Sequence, residues 1–573
     1  MTVLSKNLFK KLLDRWQNHA PVPFVQLSCA LAQITGHSKY MDLPYARLSK
    51  RLGKQLPKLD LPAPKEKTRI LILIDRACTL RLNVSIAFAL RLRGYDPQLI
   101  YCDGVFKICE QVSNLCPSAP CGSCLSRTEQ VLQNAGLPYY PLSHFFKPSD
   151  NEIISDWLKK KTFDQLRHIG FWHGYNLEEM ISRTLIRRFS HEEPWLFPNF
   201  PSRLRIATEQ SMQSILAFER ILEELNISRV YMFAGLVSTS YPLFVIARMR
   251  GLDCAITEYN YHASQIILKI NDAPQLLNLK DEWAARRNIP LSETERKELY
   301  RYLDQRRNPK APVFLDYQRS KESGMDDLKQ QLRIPDRARI ALLISNLTFD
   351  TSLRRDRSFF STMNEWLVYS VRRFTALYPN DILIIRTHPG ESLIAPLQVS
   401  KRIGDMLIEA FGYSLPSNVR LIDSDNKTNT FSLGQLAQIY ISFMSSALNA
   451  ELACNGKAQI VAGPAHVRGR GFTIDPETKE EYDHLLNRLF DLPPMSSEQK
   501  NLAERYARLS LMDYGFKLPF SLAPDDLLRH EIREKLFNLD QLMPNHSDVF
   551  DYFCDVIAGK HPDNRFSGNL ATN

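Results

Sequence analysis

At 573 residues, 44% hydrophobic and 24% charged, with 22 Gly and 33 Pro, the chain has the make-up of a globular protein of about two to four domains, which excludes a disordered, collagenous or low-complexity polymer. Lys and Arg outnumber Asp and Glu by 73 to 63, and the net charge of +10 suits an anionic ligand, a nucleic acid or an acidic membrane surface without choosing among them. No stretch reaches the roughly 18 to 20 consecutive apolar residues of a membrane-spanning helix, and the basic N-terminus lacks the apolar run and cleavage site of a secretory signal, so the expectation is a cytoplasmic protein.

Along the chain, Leu4, Leu8, Leu12 and Trp16 recur every four positions beside Phe9 and Leu13, an amphipathic helix either docked on its own domain or lying on a membrane surface. Residues 56–67, rich in Pro and Lys, read as a connector. Strand and helix then alternate, the pattern of a parallel α/β sheet. Arg69–Asp75 is a strand, Asn83–Arg93 a helix stopped by Gly94, and Gln98–Tyr101 the next strand. A second unit runs from Arg229–Ala234 through a helix ending near Arg250 to Asp253–Glu258. A third pairs Arg339–Ser345 with Asp381–Arg386 around the helix Ser361–Tyr378, and a fourth pairs Gln438–Ser442 with Ala458–Ala462 around Ala447–Asn455. The polar stretch Glu293–Arg337 separates the pairs. The expected fold is α/β, two Rossmann-like domains facing a cleft, divided as a helical extension 1–67, an acceptor domain 68–330, a donor domain 331–520, and C-terminal helices with a tail 521–573.

Ligands of open parallel sheets bind beyond the carboxyl ends of strands, so the chemistry is sought there. Arg386, His388 and Glu391 cluster where Pro389 turns the chain away from a strand. Ser445 and Ser446 open a helix after another strand, with Glu451 farther in; a phosphate at the helix N-terminus and a plain serine cap are both consistent with this. The glycine-rich run Gly463–Thr473 carries His466 and Arg468, a composition suited to an anionic ligand but not a Walker A or GxGxxG loop. Asp350 follows the strand that opens the second domain, with Arg354, Arg355 and Arg357 close behind.

The runs Asn346–Asp350, Met363–Leu367, Ile385–Glu391, the helix through Glu451 and Ala462–Thr473 together resemble the bacterial capsule polysaccharide biosynthesis proteins. That resemblance implies a GT-B-like glycosyltransferase, some relatives transferring Kdo from a CMP-sugar. Its N-terminal half is matched by Phe233–Gly235, Ala247–Gly251 and Glu258, although the usual Asn-Gly-Arg reads Ala234-Gly235-Leu236 here. It implies His388 and Glu391 at the donor phosphate and sugar, Ser445, Ser446 and Glu451 at the nucleotide, and His466 with Arg468 at the pyrophosphate. The donor would be a nucleotide-activated sugar and the acceptor a glycan or glycolipid. No catalytic metal is expected, because basic groups and helix N-termini can neutralise the leaving phosphate. Peripheral contact with the inner membrane or with other polysaccharide-assembly proteins is compatible with this reading. Glu258, Asp75 and Asp103 stand at strand ends as candidate bases, Glu258 first.

Five of the ten cysteines fall at Cys102, Cys109, Cys116, Cys121 and Cys124. Cys121-x-x-Cys124 with Cys102 and Cys109, or with Cys116 in place of one, could hold structural zinc or an iron–sulfur cluster; buried core thiols and redox chemistry are the alternatives. Two other function classes compete with the transferase: a CDP-polyol phosphotransferase, on the Arg-x-His-Pro element, and a non-catalytic assembly protein. No nucleic-acid-binding motif accompanies the charge, so no nucleic acid partner is expected.

Overall fold

The computed structural model describes residues 61–76, 79–109, 121–133, 135–262, 265–308, 322–350, 358–393, 401–445, 448–519 and 539–562. The expected N-terminal amphipathic helix, the arginines at 354, 355 and 357, Ser446, Cys116 and the C-terminal tail lie outside them, as does the side chain of Cys121. No helix among the described residues is long and apolar enough to cross a membrane.

The strands, in chain order, are β1 Arg69–Ile74, β2 Asp96–Tyr101, β3 Tyr139–Pro141, β4 Phe171–Trp172, β5 Tyr175–Asn176, β6 Arg229–Phe233, β7 Asp253–Tyr259, β8 Gln265–Ile270, β9 Ile340–Ile344, β10 Ile382–Arg386, β11 Val419–Ile422, β12 Ile439–Ser442, β13 Gln459–Val461 and β14 Phe516–Lys517. They belong to two compact units. The first holds the chain through Glu258, then 265–274 and 516–562; the second holds 259–262 and 275–515.

The first unit is a seven-stranded sheet in the order β14-β8-β7-β6-β1-β2-β3. β1 pairs in parallel with β2 and β6, β6 with β7 and β2 with β3, while β14 is antiparallel to β8. RILILI in β1 is buried at every residue after Arg69, as expected for a strand covered on both faces. Helix α1 (Leu80–Leu92) ends where Gly94 takes φ +91°, a conformation that favours glycine. Helix α2 (Phe200–Glu224) is the longest described in the unit, and α3 (Tyr241–Met249) links β6 to β7. The β4–β5 hairpin stands apart from the main sheet.

The second unit is a five-stranded, wholly parallel sheet in the order β11-β10-β9-β12-β13. Its helices include α4 (Glu293–Arg306), α5 (Met363–Leu377), α6 (Ile403–Ala410) and α7 (Leu448–Ala453). Thr362 caps α5 by accepting from the Glu365 N–H, and Trp366 is wholly buried, its indole N–H donating to the Tyr482 hydroxyl at 3.0 Å.

The units divide at 274–275 rather than near 330. The stretch from Glu293, polar enough to read as a separator, contains α4, whose Leu299, Tyr302 and Leu303 are buried in the second unit. The C-terminal segment likewise rejoins the first unit. β14 extends its sheet, and the helix Asp548–Ala558 is tied down where Arg93 pairs with Asp551, Tyr95 donates to Asp555 at 3.0 Å, and Arg229 Nε donates to the Ile557 carbonyl at 2.9 Å.

Candidate functional site

Within each unit's main sheet the first strand lies between the second and the fourth: β1 between β2 and β6, β9 between β10 and β12. Successive strands therefore add on one side and then on the other, which opens a crevice beyond the carboxyl ends of the two central strands. In the second unit this point lies between Ile344 and Ser442.

Asn346 and Asp350 follow β9, and the Asn346 side-chain N–H reaches Asp350 Oδ2 at 3.5 Å. His388 follows β10. Its Nδ1 accepts the Gly390 N–H at 3.0 Å, so the proton of the neutral ring sits on Nε2. Burial and the nearby Arg386 guanidinium push His388 down to about 4 against the opposing pull of Asp350, and the ring is neutral at pH 7. Asp350 and His388 are thus brought within electrostatic reach, as their positions after neighbouring strands β9 and β10 allow.

Arg386 is turned to structural use. Nε donates to Thr430 at 3.2 Å and Nη1 to the Asp423 carbonyl at 2.8 Å, which pins the end of β10 to the loop beyond β11. Glu391 is 2% exposed and faces inward, where Oε1 accepts the Ile403 N–H at 3.2 Å.

Ser445, beyond β12, is 8% exposed. Among the described residues, the hydroxyls of Ser442 and Thr348 are buried without a hydrogen-bond partner. Gly463 donates to the Phe443 carbonyl at 2.8 Å, and a Cβ there would sit 2.4 Å from that oxygen, so only glycine lets the loops after β12 and β13 meet. His466 is held on Tyr506. The tyrosine hydroxyl donates to the His466 carbonyl at 2.9 Å, leaving Nδ1–H to donate to that hydroxyl at 2.7 Å. Arg468 clamps its own loop through the carbonyls of Val461 and Pro476 and the Glu477 carboxylate.

Glu451 is not presented at the edge. It is 3% exposed and paired with Arg306 of α4, which also lies over the rings of Tyr302 and Tyr261 at 5.6 and 6.0 Å. Burial raises the Glu451 carboxyl despite that cation. Arg306, Tyr506 and the orphan hydroxyls of Ser442 and Thr348 were not among the sequence candidates. Arg306 lies 145 residues upstream of Glu451, and no local spacing links them.

In the first unit Asp75, 4% exposed, takes both Arg76 Nε and Nη2 at 3.1 Å and the Thr239 hydroxyl at 2.5 Å. Asp103 accepts the Ser143 N–H at 3.1 Å. Glu258 is partly exposed near the end of β7. Cys102, Cys109 and Cys124 are partly exposed, and among the described residues no three His, Cys, Asp or Glu side chains are grouped to hold a metal ion. The described thiols therefore do not make up the tetrahedral set that zinc or an iron–sulfur cluster needs.

No family model and no curated protein matches the chain. Among solved structures, MurG of Acinetobacter baumannii is 11% identical over 78% of this chain and 96% of its own, with a TM-score of 0.26. The glycosyltransferase SnogD of Streptomyces nogalater is 12% identical over 78% and 96%, TM-score 0.22, and a UDP-N-acetylglucosamine 2-epimerase is 10% identical over 77% and 91%, TM-score 0.24. Likenesses this remote leave what the chain does to its own residues.

Proposed function

We propose that the chain is a glycosyltransferase that moves a sugar from a nucleotide-activated donor to a glycan or glycolipid acceptor of a bacterial surface polysaccharide. The observation that carries the reading is His388, a neutral imidazole with Nδ1 locked by Gly390 at the carboxyl edge of a wholly parallel sheet and with Asp350 beside it. In this reading Nε2–H donates to a donor phosphate oxygen, and Asp350 takes a sugar hydroxyl. The hydroxyls of Ser442 and Ser445 supply further donors without charge. The acceptor oxygen attacks the anomeric carbon, the bond from that carbon to the phosphate oxygen breaks, and Glu258 takes the acceptor proton. Arg386, Glu451 and Arg468 are assigned to holding the scaffold.

A thermal-shift comparison of CMP, CDP, UDP, GDP and dTDP tests the donor site, since a ligand that binds the folded state alone raises its stability. One nucleotide is expected to raise Tm selectively, and His388→Ala to weaken its binding on the order of 100-fold with little change in the unliganded Tm. No shift with any nucleotide, from a folded protein, would overturn the reading. Product analysis with the matching sugar nucleotide then separates transfer from hydrolysis.

A further inference from the structure

Between β3 and β6 the first unit carries helical segments that hold large apolar side chains outward. Residues Pro194–Leu196 form a 3-10 turn that leads into α2. Pro194 and Phe200 are buried, and the Phe197 ring meets the wholly buried Phe189 at 5.1 Å, so this loop is fastened from within. Trp195 and Leu196 stand outward, 45% and 60% exposed. Beside them is the short helix Phe163–Arg167. Phe163, 41% exposed, meets Phe200 edge-on at 6.1 Å, and the Arg167 guanidinium lies 6.0 Å from the centre of the Trp195 ring. The Thr162 hydroxyl accepts the Gln165 N–H at 3.3 Å and the Gln165 side chain accepts the Thr162 N–H at 3.0 Å, which fixes the start of that helix. Single exposed apolar residues are ordinary, whereas three held together on a buried aromatic base mark an interaction surface.

Cations rim the patch. Residues 159–167 carry Lys159, Lys160, Lys161 and Arg167 against Asp164, and residues 194–205 carry Arg203 and Arg205 with no acid. Lys159, Lys160, Arg167 and Arg205 are exposed, and the Lys161 ammonium lies over the Trp157 ring at 4.9 Å. The flanking acids are Asp156, which takes Lys159 at 3.0 Å, and the half-buried Glu193. Two copies of the chain meeting through this face would set one basic rim against the other. A bilayer with anionic headgroups offers hydrocarbon to the apolar side chains and phosphate to the cations at the same depth.

We propose that this face of the first unit docks on an anionic lipid bilayer, with Phe163, Trp195 and Leu196 entering the boundary between headgroups and acyl chains and Lys159, Lys160 and Arg167 facing lipid phosphates. The inference rests on the surface alone and not on the donor site, so a failed nucleotide screen leaves it standing, and failed docking leaves the donor reading standing.

Sedimentation of the full chain with vesicles of equimolar phosphatidylcholine and phosphatidylglycerol tests it, with vesicles of phosphatidylcholine alone as the comparison. Binding is expected to the anionic vesicles, much weaker binding to the neutral ones, and release as NaCl rises to about 0.5 M. Lys159→Gln/Lys160→Gln should weaken binding on the order of 20-fold, from about fivefold per lysine at the surface. Trp195→Ser/Leu196→Ser should weaken it tenfold or more, to about the level that headgroup attraction alone provides. Both variants change exposed side chains and should keep the wild-type Tm and nucleotide response. No sedimentation with either vesicle overturns the proposal, as does binding that Trp195→Ser/Leu196→Ser leaves unchanged, since the apolar patch would then touch no lipid. A dimer in analytical ultracentrifugation that this variant abolishes, without vesicle binding, overturns it in favour of a second copy of the chain.

Discussion

The two sheets place their first strand at the same topological position yet treat a buried carboxyl at the carboxyl edge in opposite ways. Asp75, directly after β1, is saturated: a two-pronged contact from Arg76 and a hydroxyl from Thr239 occupy it. Glu391, five residues beyond the end of β10, has among the described residues one backbone donor and no cation in contact. The first arrangement is an ion pair whose loss leaves a buried charge, and the second is an acid that burial keeps protonated. Strand order alone therefore does not tell which edge retains hydrogen-bonding capacity for a ligand. The neighbours that desolvate or neutralise each group decide it.

Four perturbations break or sharpen that contrast. The largest effect is expected from a third buried carboxyl, Glu451, which resembles Asp75 in having an arginine. Arg306→Met leaves Glu451 unpaired and should lower the unfolding free energy by about 5 kcal/mol in urea titrations, with Arg306→Met/Glu451→Met recovering most of it. An equal loss in the double variant would show that the pair is not the cause.

Next comes the pH dependence of Glu391. Its folded value of about 8 exceeds the ordinary 4.5, so between these limits the folded state keeps a proton that the unfolded state releases. Stability from this group is full below pH 4.5, falls as pH rises and is lost by about pH 8, on the order of 5 kcal/mol in all. The wild type minus Glu391→Gln difference in denaturation free energy, measured from pH 4 to pH 9, should trace that decline; a constant difference would remove the contrast with Asp75.

Asp75→Ala should cost about 3 kcal/mol by removing the carboxylate that faces Arg76, whose side chain is 11% exposed, and should leave nucleotide affinity within about twofold. A matching loss of affinity would give the first unit's edge a part in donor binding. The smallest effect is expected from Gly463→Ala, where the new Cβ meets the Phe443 carbonyl and the two loops must part, at about 2 kcal/mol by thermal unfolding. Unchanged stability would mean that the loops yield without strain.

The central strands were legible because covered strands are written as continuous apolar runs, and β1, β6, β9, β10 and β12 lie within about two residues of their expected limits. Helix α2 was not, for a physical reason: its buried side includes Thr208, Ser211 and Ser214, whose hydroxyls return to the carbonyls of Leu204, Ala207 and Gln210 at 2.8 Å and blur the apolar stripe. The first unit's edge strand β14 has only two residues and follows more than 240 residues after β8, its partner. At the site, the positions of His388 and Asp350 after adjacent strands could be read, since strand ends are local. Arg386 and Arg468 could not be placed from sequence, because an arginine beside a strand end looks alike whether it faces a phosphate or a set of backbone carbonyls, such as those of Asp423 and Pro476.

From its sequence alone the chain determines an α/β protein with parallel strands, the places where those strands stop, and the polar residues that follow them, because hydrophobic periodicity and turn chemistry act over a few residues. Tertiary structure alone decided that residues 516–562 return to the first unit, that Glu451 belongs to Arg306, and that Glu391 is neutral. Desolvation and Coulomb attraction depend on what is near in space, and those neighbours come from anywhere in the chain.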